Sequence, residues 1–282
     1  MGVDLRIVTS HPMTTPARPI RNQHRHEEGP AIAAGPSKFH MSAGGGKSPQ
    51  VPRLVPPLYI RKVPVATPLD EVEIRATLSE PRSHTYLAAV GGDAYKAMEL
   101  YGWNARVSAA FMLPAHFAEI SLRNAAADVL ERLYGPRWPW NETFVASLPN
   151  PQRFSPRREL LNTRGWNTTT GKVIAELKSV FWEKLFTARH HDRLWEPHIA
   201  AAFPYAPDVP AEILRQRIYD DFSLLRALRN RIAHHEPVFA RDLPDLLNRT
   251  LDLIELRSRS TADWVRAMED VSSTIAERPL RS

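Results

Sequence analysis

Apolar side chains recur every three or four residues along most of the chain after residue 68, which is the period of α-helices with one buried face. No alternation of polar and apolar residues is long enough to predict a strand, and no internal repeat with a period of about 20 to 50 residues is present. The pattern therefore predicts an all-α fold, a single helical bundle of about eight helices. The predicted helices begin near residue 70 and then cover 94–134, 155–162, 174–185, 194–203, 211–236, 242–257 and 261–276.

Residues with special backbone preferences mark the ends of the helix predicted at 94–134. Asp93 follows two glycines and is expected to cap the N-terminus. Gly135 and Pro136 are expected to end the helix, since glycine readily adopts the left-handed conformation found there and proline cannot continue the hydrogen bonding. Inside this range, Pro114 predicts a kink or the first turn of a new helix.

The first 68 residues differ in composition from the rest of the chain. They hold nine Lys and Arg, three Asp and Glu, and 11 of the 25 prolines, whereas residues 69–282 hold 28 basic and 28 acidic residues. The formal net charge of +6 therefore belongs to residues 1–68, which are predicted to be a disordered basic segment. Two interpretations remain open, a solvated leader or sequence translated upstream of a later start, and an arm that tethers RNA electrostatically. Residues 69–282 are predicted to form the helical domain.

The absence of certain sequence features limits the function classes. The chain has no cysteine, which excludes disulfides, thiolate zinc sites and cysteine nucleophiles. No apolar stretch approaches the roughly 20 residues that span a bilayer, and no apolar segment of signal-peptide length follows the N-terminal basic residues. We therefore expect a cytoplasmic protein with no membrane partner.

The polar residues best suited to take part in a reaction lie near the end of the long helix predicted after Pro210. Arg226, Asn230 and His234 are four residues apart and form one line on its surface, while Arg229 lies nearer its apolar stripe. Pro237 is expected to end this helix one or two residues earlier, which would place His234 in the last turn. There the negative end of the helix dipole favours a protonated imidazole.

These residue types suit phosphate chemistry on RNA. A histidine can exchange a proton with a ribose 2′-OH or a leaving oxygen, an arginine can neutralise the phosphate, and an asparagine can orient the histidine. The alternative is that Arg and His only cap the last carbonyls of the helix. Because Arg229 and His234 are five residues apart, their directions on an ideal helix differ by about 140°. One phosphate could contact both side chains in three ways: through a distorted last turn, through side chains that extend far from the helix, or in a symmetric dimer that brings two such helices together.

Several stretches of the sequence together resemble a known family. They are residues 81–87 (PRSHTYL), 100–105 (LYGWNA), 119–124 (EISLRN), 171–177 (GKVIAEL) with 181–182 (FW), 194–195 (LW) and 228–237 (LRNRIAHHEP). In order and spacing they are similar to the Abi-like (AbiD/AbiF-type abortive infection) family over about residues 70 to 260. Arg229 and His234 also match the Arg-x4–6-His motif of the HEPN superfamily of helical ribonucleases, to which the Abi-like family belongs.

The resemblance implies a function as well as a HEPN-like fold. It implies a homodimer that acts in defence against phage or in a toxin–antitoxin system, with RNA as substrate and an antitoxin RNA or protein as a candidate partner. Arg229 would stabilise the scissile phosphate, His234 would act as general acid or base, and Asn230 would orient one of them. Attack by the 2′-OH would leave a 2′,3′-cyclic phosphate, and neither a metal nor another cofactor would be required.

A second set of residues would bind RNA or support the catalytic residues. It consists of Arg226, Glu119, Arg123, Asn124 and His235. Glu119 and Arg123 are four residues apart, so a simple salt bridge along one helix is an equally good interpretation of this pair. A function of a different class also remains open, a non-catalytic helical module of bacterial defence that binds RNA or another protein.

Two other groups of residues superficially match known sites. His190, His191, Asp192 and His198 are close in sequence but lack the spacing of a histidine metal motif, so no metal site is predicted. The run at 44–48 (GGGKS) lacks the first glycine of a phosphate-binding loop and follows no strand, and we reject it.

Overall fold

A computed structural model of the chain describes residues 70–279, and the disorder predicted for residues 1–68 lies outside this range. All regular structure within the described residues is helical, which confirms the predicted all-α class. Twelve α-helices are present there instead of about eight, because short breaks divide three of the predicted ones and because the short helix at residues 142–147 was not predicted. They are α1 (Glu71–Leu78), α2 (Glu80–Ala89), α3 (Ala94–Tyr134), α4 (Glu142–Ser147), α5 (Pro156–Trp166), α6 (Thr170–Glu176), α7 (Ser179–Leu185), α8 (Ile199–Ala202), α9 (Ala211–Ala233), α10 (Leu243–Glu255), α11 (Arg259–Met268) and α12 (Val271–Ala276).

Helix α3 is the central element and runs for 41 residues, roughly 60 Å, without interruption. Its ends lie where the sequence predicts them. Asp93 caps the start by accepting a hydrogen bond from the backbone N–H of Lys96, and Gly135 ends the helix with a positive φ of 79°. Pro114 does not begin a new helix as one prediction had it: the helix continues through this buried residue, although proline cannot donate the backbone hydrogen bond of a regular turn.

The single helix predicted at 174–185 is wrong. The backbone is extended at Leu177 and Lys178, so that α6 ends before them and α7 starts at Ser179. Leu177 is fully buried in this extended conformation, and its burial maintains the apolar period on both sides of the break. The helix predicted at 261–276 is likewise divided, at Glu269, whose carboxylate accepts hydrogen bonds from the first backbone N–H groups of α12.

Helices α3 and α9 run antiparallel in the described domain. Asn104, in the first third of α3, binds the backbone that follows α9, whereas Glu119, further along α3, is bound by Arg229 inside α9. The stretch of α3 between these two residues therefore lies beside the last turns of α9. None of the helices within residues 70–279 is long and apolar enough to cross a membrane.

His190 is a buried residue whose protonation is linked to the stability of the domain. Burial, followed by the charges of Arg193 and Arg189, lowers the pKa of His190 from 6.5 to about 4. Its Nδ1 atom lies 3.2 Å from Arg193 Nη2. His190 belongs to the cluster rejected above as a metal site, and no group of three or more His, Asp or Glu within residues 70–279 is arranged to hold a metal ion.

We expect the domain to lose stability as the pH falls from 6.5 towards 4. The unfolded chain binds a proton at His190 near pH 6.5, whereas the folded chain resists protonation until about pH 4, so the free energy of unfolding decreases by about 3 kcal/mol over this window. Urea titrations at several pH values measure it. The variant His190→Gln, which has no titrating group, should show a shallower dependence. An identical slope in both proteins would exclude His190 as its source.

Candidate functional site

The polar line predicted on α9 lies at a helix end whose geometry differs from the expectation. The helix ends at Ala233, not at His235 or Glu236, and His234 is the residue just beyond it. His235 adopts a left-handed conformation with φ of 56°, and the backbone N–H groups of His235 and Glu236 turn back to the carbonyls of Ile232 and Arg231. This is the hydrogen-bond pattern of a Schellman motif, with histidine at the position that glycine usually occupies. It ends the helix before Pro237 would.

Two residues from distant parts of the chain hold the segment that follows α9. The side-chain oxygen of Asn104 in α3 accepts hydrogen bonds from the backbone N–H groups of Val238 and Phe239, at 2.8 and 3.1 Å. Arg82 in α2 donates to the carbonyl oxygen of His235 at 3.0 Å. Both belong to stretches that carry the family resemblance, residues 81–87 and 100–105, but the sequence alone gave neither residue a role. Their contacts fix where His234 lies.

Glu119 is the buried centre of the candidate site. Glu119 is only 5% exposed to solvent. Its two carboxylate oxygens bind different arginines, Arg123 on the same helix and Arg229 on α9. Arg229 also donates to the hydroxyl oxygen of Ser179 at 2.9 Å, and Arg123 donates to the carbonyl of Ala175 at 3.1 Å. The salt bridge predicted between Glu119 and Arg123 is therefore present, and it extends to Arg229. A buried carboxylate with two partners holds both guanidinium groups in place.

Arg226 is held in a similar way by a second buried carboxylate. Its Nε donates to Glu183 of α7, a residue that is almost completely inaccessible to solvent. The other carboxylate oxygen of Glu183 lies 3.3 Å from Lys184 Nζ. Among the described residues, no hydrogen bond uses the two terminal amino groups of Arg226. These groups are therefore free to bind an anion.

A surface groove of about 360 Å³ joins residues of the two ion-pair clusters. It is lined by Arg123, Lys178, Ser179, Val180, Arg226 and Asn230. Three of these six residues are cationic, Ser179 and Asn230 are neutral and polar, and none is acidic. Arg226 and Asn230, predicted to share one line on α9, thus face the same groove. Lys178 and Ser179 were not predicted, because the period of Ile174, Leu177 and Phe181 hides the break that places them there.

His234, His235 and Asn124 are exposed and do not line this groove. Within residues 70–279, no hydrogen bond or ion pair joins a side chain of these three to Arg229. Arg229 and His234, which the resemblance joins in one motif, are therefore not linked by a polar contact within one subunit. In one subunit Arg229 is held against α3, whereas the His234 imidazole is free to meet a ligand or another surface.

A second cavity of about 650 Å³ borders the end of α9 and includes Arg82, Ile232 and His235 in its wall. Its aromatic wall consists of Tyr86 and Tyr101, whose ring centres are 4.4 Å apart. Burial, and then the proximity of Tyr101, raise the pKa of Tyr86 to about 12, so this phenol remains protonated at neutral pH. This wall and Asn104 line the same cavity as His235 and Glu236, the two residues that follow His234.

Comparisons with known proteins give no relative of this chain. A scan against models of protein families finds no match, and neither a search of curated proteins nor a search of solved structures finds a similar one. The residues of the site and the sequence resemblance described above are therefore what indicates a function.

Proposed function

We propose that this chain is a metal-independent endoribonuclease of the Abi-like type within the HEPN superfamily, acting in a bacterial defence system against phage or in a toxin–antitoxin system. The observation that carries the proposal is the convergence of the two polar segments of the resemblance. Glu119 and Arg123 of α3 meet Arg229 of α9 through one buried carboxylate, next to a cationic groove and close along the chain to an exposed histidine.

Each residue of the proposed site has a role that its environment supports. Arg229 carries a permanent positive charge, is held by Glu119 and Ser179, and retains 32% of its side-chain surface for contact with a phosphate. His234 is exposed at the helix end and accepts or donates the proton. Asn230, one turn before His234, presents an amide that orients the histidine or the phosphate.

The reaction that these residues serve is an internal transfer within RNA. The ribose 2′-oxygen forms a bond to phosphorus while the bond from phosphorus to the 5′-oxygen breaks, which gives a 2′,3′-cyclic phosphate and a 5′-OH. The proton of the 2′-OH passes to a base, and a proton from an acid reaches the departing 5′-oxygen. His234 fills one of these positions, and Arg229 balances the negative charge that develops on phosphorus oxygens.

The proposed active form is a homodimer, since the second copy supplies what one subunit lacks. Met112, His116 and Ile120 lie four residues apart on an exposed line of α3. This line runs between the side of α3 where Glu119 binds Arg229 and the side where Phe117 contacts Trp264. We infer a two-fold axis through this face, because such an axis would place His234 of one copy and Arg229 of the other at the same cleft.

Replacing Ile120 with lysine is therefore expected to weaken the dimer about 100-fold and to reduce cleavage in parallel, because an unpaired ammonium group would be buried in the interface. Analytical ultracentrifugation over a concentration series measures the dissociation constant. Ile213→Lys is the matched control: this isoleucine is also exposed, in the first turn of α9, roughly 30 Å along the helix from His234. Equal effects of the two variants, or none, would contradict this interface.

A second candidate function is a module that binds RNA or a protein without cutting RNA. The observation that favours it is the lack of contact between His234 and Arg229 within one subunit, because their residue types then serve binding and helix capping only. This candidate predicts salt-sensitive binding of RNA that remains intact, and loss of phosphate affinity in Arg229→Ala.

The proposal is tested by incubating the full-length chain with total RNA in EDTA and mapping the new ends. We expect cuts that leave a cyclic phosphate on one product and a 5′-OH on the other. RNA that stays intact while the protein is folded and dimeric would contradict the ribonuclease and favour the binding module.

A further inference from the structure

The groove between α7 and α9 contains more hydrogen-bond donors than the protein itself uses. The terminal amino groups of Arg226 have no protein partner among the described residues, and the same is true of the Asn230 side chain. The Ser179 hydroxyl accepts a hydrogen bond from Arg229, so its own proton remains available to donate. These donors line one groove of about 360 Å³.

The charges around the groove are arranged to keep these donors in place. Glu183 holds Arg226 through Nε and Glu119 holds Arg123, and both carboxylates are buried. A buried carboxylate beneath a guanidinium fixes its position without blocking its outer face. Lys178 adds a cation at the rim: its side chain is 68% exposed and its Nζ lies 3.0 Å from Glu159.

We propose that this groove binds a phosphodiester group of a single RNA strand, separate from the phosphate that is cleaved. Arg226 contacts the phosphate with its two terminal amino groups, Ser179 and Asn230 donate neutral hydrogen bonds, and Lys178 supplies the exposed charge. This binding site rests on the proposed function, because the strand that it holds is taken to be the RNA substrate. Asn230 lines the groove and also belongs to the proposed cleavage site, so the two sites are neighbours. The groove would thus hold the strand in register for cleavage.

The groove is well suited to a phosphodiester for geometric reasons. A guanidinium presents two parallel N–H groups that match two phosphate oxygens, whereas hydroxyl and amide donors fill the remaining directions. The groove is open to solvent, so a strand can approach its donors from outside. It contains no aromatic side chain for stacking a base, so the contact is to the backbone and carries little sequence preference.

The decisive variant is Lys178→Gln, made in full-length protein that also carries His234→Ala so that cleavage does not affect the measurement. The probe is a fluorescent 2′-O-methyl oligonucleotide, and its affinity is measured by anisotropy in EDTA over a range of salt concentrations. We expect the affinity to fall about fivefold at low salt. We also expect the slope of log affinity against log salt to become shallower by about 0.7, the contribution of one phosphate on a single strand.

Lys96→Gln provides the matched control. Lys96 also pairs with one acidic residue, Asp93, but it lies 27 residues before Arg123 on the same helix, roughly 40 Å from the groove. The Lys96→Gln variant removes the same charge and should leave both the oligonucleotide affinity and its salt dependence unchanged. Equal losses in the two variants, or no loss in Lys178→Gln, would overturn the proposal.

A second variant tests the guanidinium directly. Arg226→Lys retains the charge but loses the two-pronged contact, and we expect about a tenfold loss of affinity with an unfolding midpoint close to that of the parent. Inorganic phosphate, added at constant ionic strength, should not compete with the oligonucleotide at low millimolar concentration. Competition there would identify a site for free phosphate and overturn the assignment to RNA. These binding results do not depend on cleavage, so failure of the ribonuclease proposal is detected separately.

Discussion

Replacing His234 with alanine is expected to lower the rate of RNA cleavage by about 10²–10⁴-fold, the usual contribution of one general acid or base. His234 lies just beyond α9 with φ near −90°, a conformation that alanine adopts without strain. Its side chain is exposed and forms no hydrogen bond within the described residues. The loss of rate should therefore occur with no change in the midpoint of thermal unfolding. Both quantities are measured on the same preparation.

His235→Asn is the matched control for His234→Ala. His235 is also an exposed histidine, and its left-handed backbone is one that asparagine tolerates better than most residues. The resemblance assigns His235 to the residues that bind RNA or support catalysis, but within the described residues its side chain forms no hydrogen bond and Arg82 contacts only its backbone, so we expect the control to retain most of the activity of the parent. If the two variants cleave equally well, His234 is not the acid or base.

Replacing Glu119 with alanine is expected to have the largest effect on stability of any single change at the site. The carboxylate is buried between Arg123 and Arg229, so its removal leaves two guanidinium groups facing each other without a counterion. We expect the free energy of unfolding to fall by about 3 kcal/mol, the lower end for a broken buried pair, because both arginines retain some contact with solvent. For a domain of this size the midpoint should fall by about 9 °C.

The loss of Glu119 should also slow cleavage at temperatures where the variant is still folded. Arg229 then loses one of its two anchors, and a displacement of about 1 Å is sufficient to cost about 100-fold in rate. Glu119→Gln preserves the shape of the side chain and should show smaller losses of both kinds. Asp263→Ala removes an exposed ion pair with Arg266 and should change stability by less than about 1 kcal/mol. A Glu119→Ala protein as stable as the parent would contradict the described ion-pair cluster.

The sequence predicted which polar side chains of α9 share one face, but it did not show that His234 lies outside their groove. The four-residue spacing of Arg226 and Asn230 was sufficient to place both on one face, and they do line one groove. His234 lies outside it because the helix ends at a left-handed His235, held by Arg82, before Pro237 acts. A proline is visible in a sequence as a helix terminator, whereas a left-handed histidine depends on contacts from a distant helix.

The supporting residues show the same limit. The spacing of Glu119 and Arg123 predicted their salt bridge, but only the packing of α3 against α9 brings Arg229 to the same carboxylate. Lys178 and Ser179 lay inside a predicted helix because Leu177 is buried with helical periodicity although its backbone is extended. Side-chain periodicity reports burial, and it does not reveal a short break that leaves burial unchanged.

The proposed cleavage requires the ribose 2′-oxygen as nucleophile, and a substrate that lacks this oxygen at one position tests the requirement. Once the cleavage position in a defined RNA oligonucleotide has been mapped, the same oligonucleotide is prepared with a single 2′-deoxynucleotide on the 5′ side of that position. The two are incubated with the protein in EDTA. We expect that the deoxy substrate is not cut there, while the all-ribose substrate yields a 2′,3′-cyclic phosphate. Cleavage of both substrates at the same rate would contradict it.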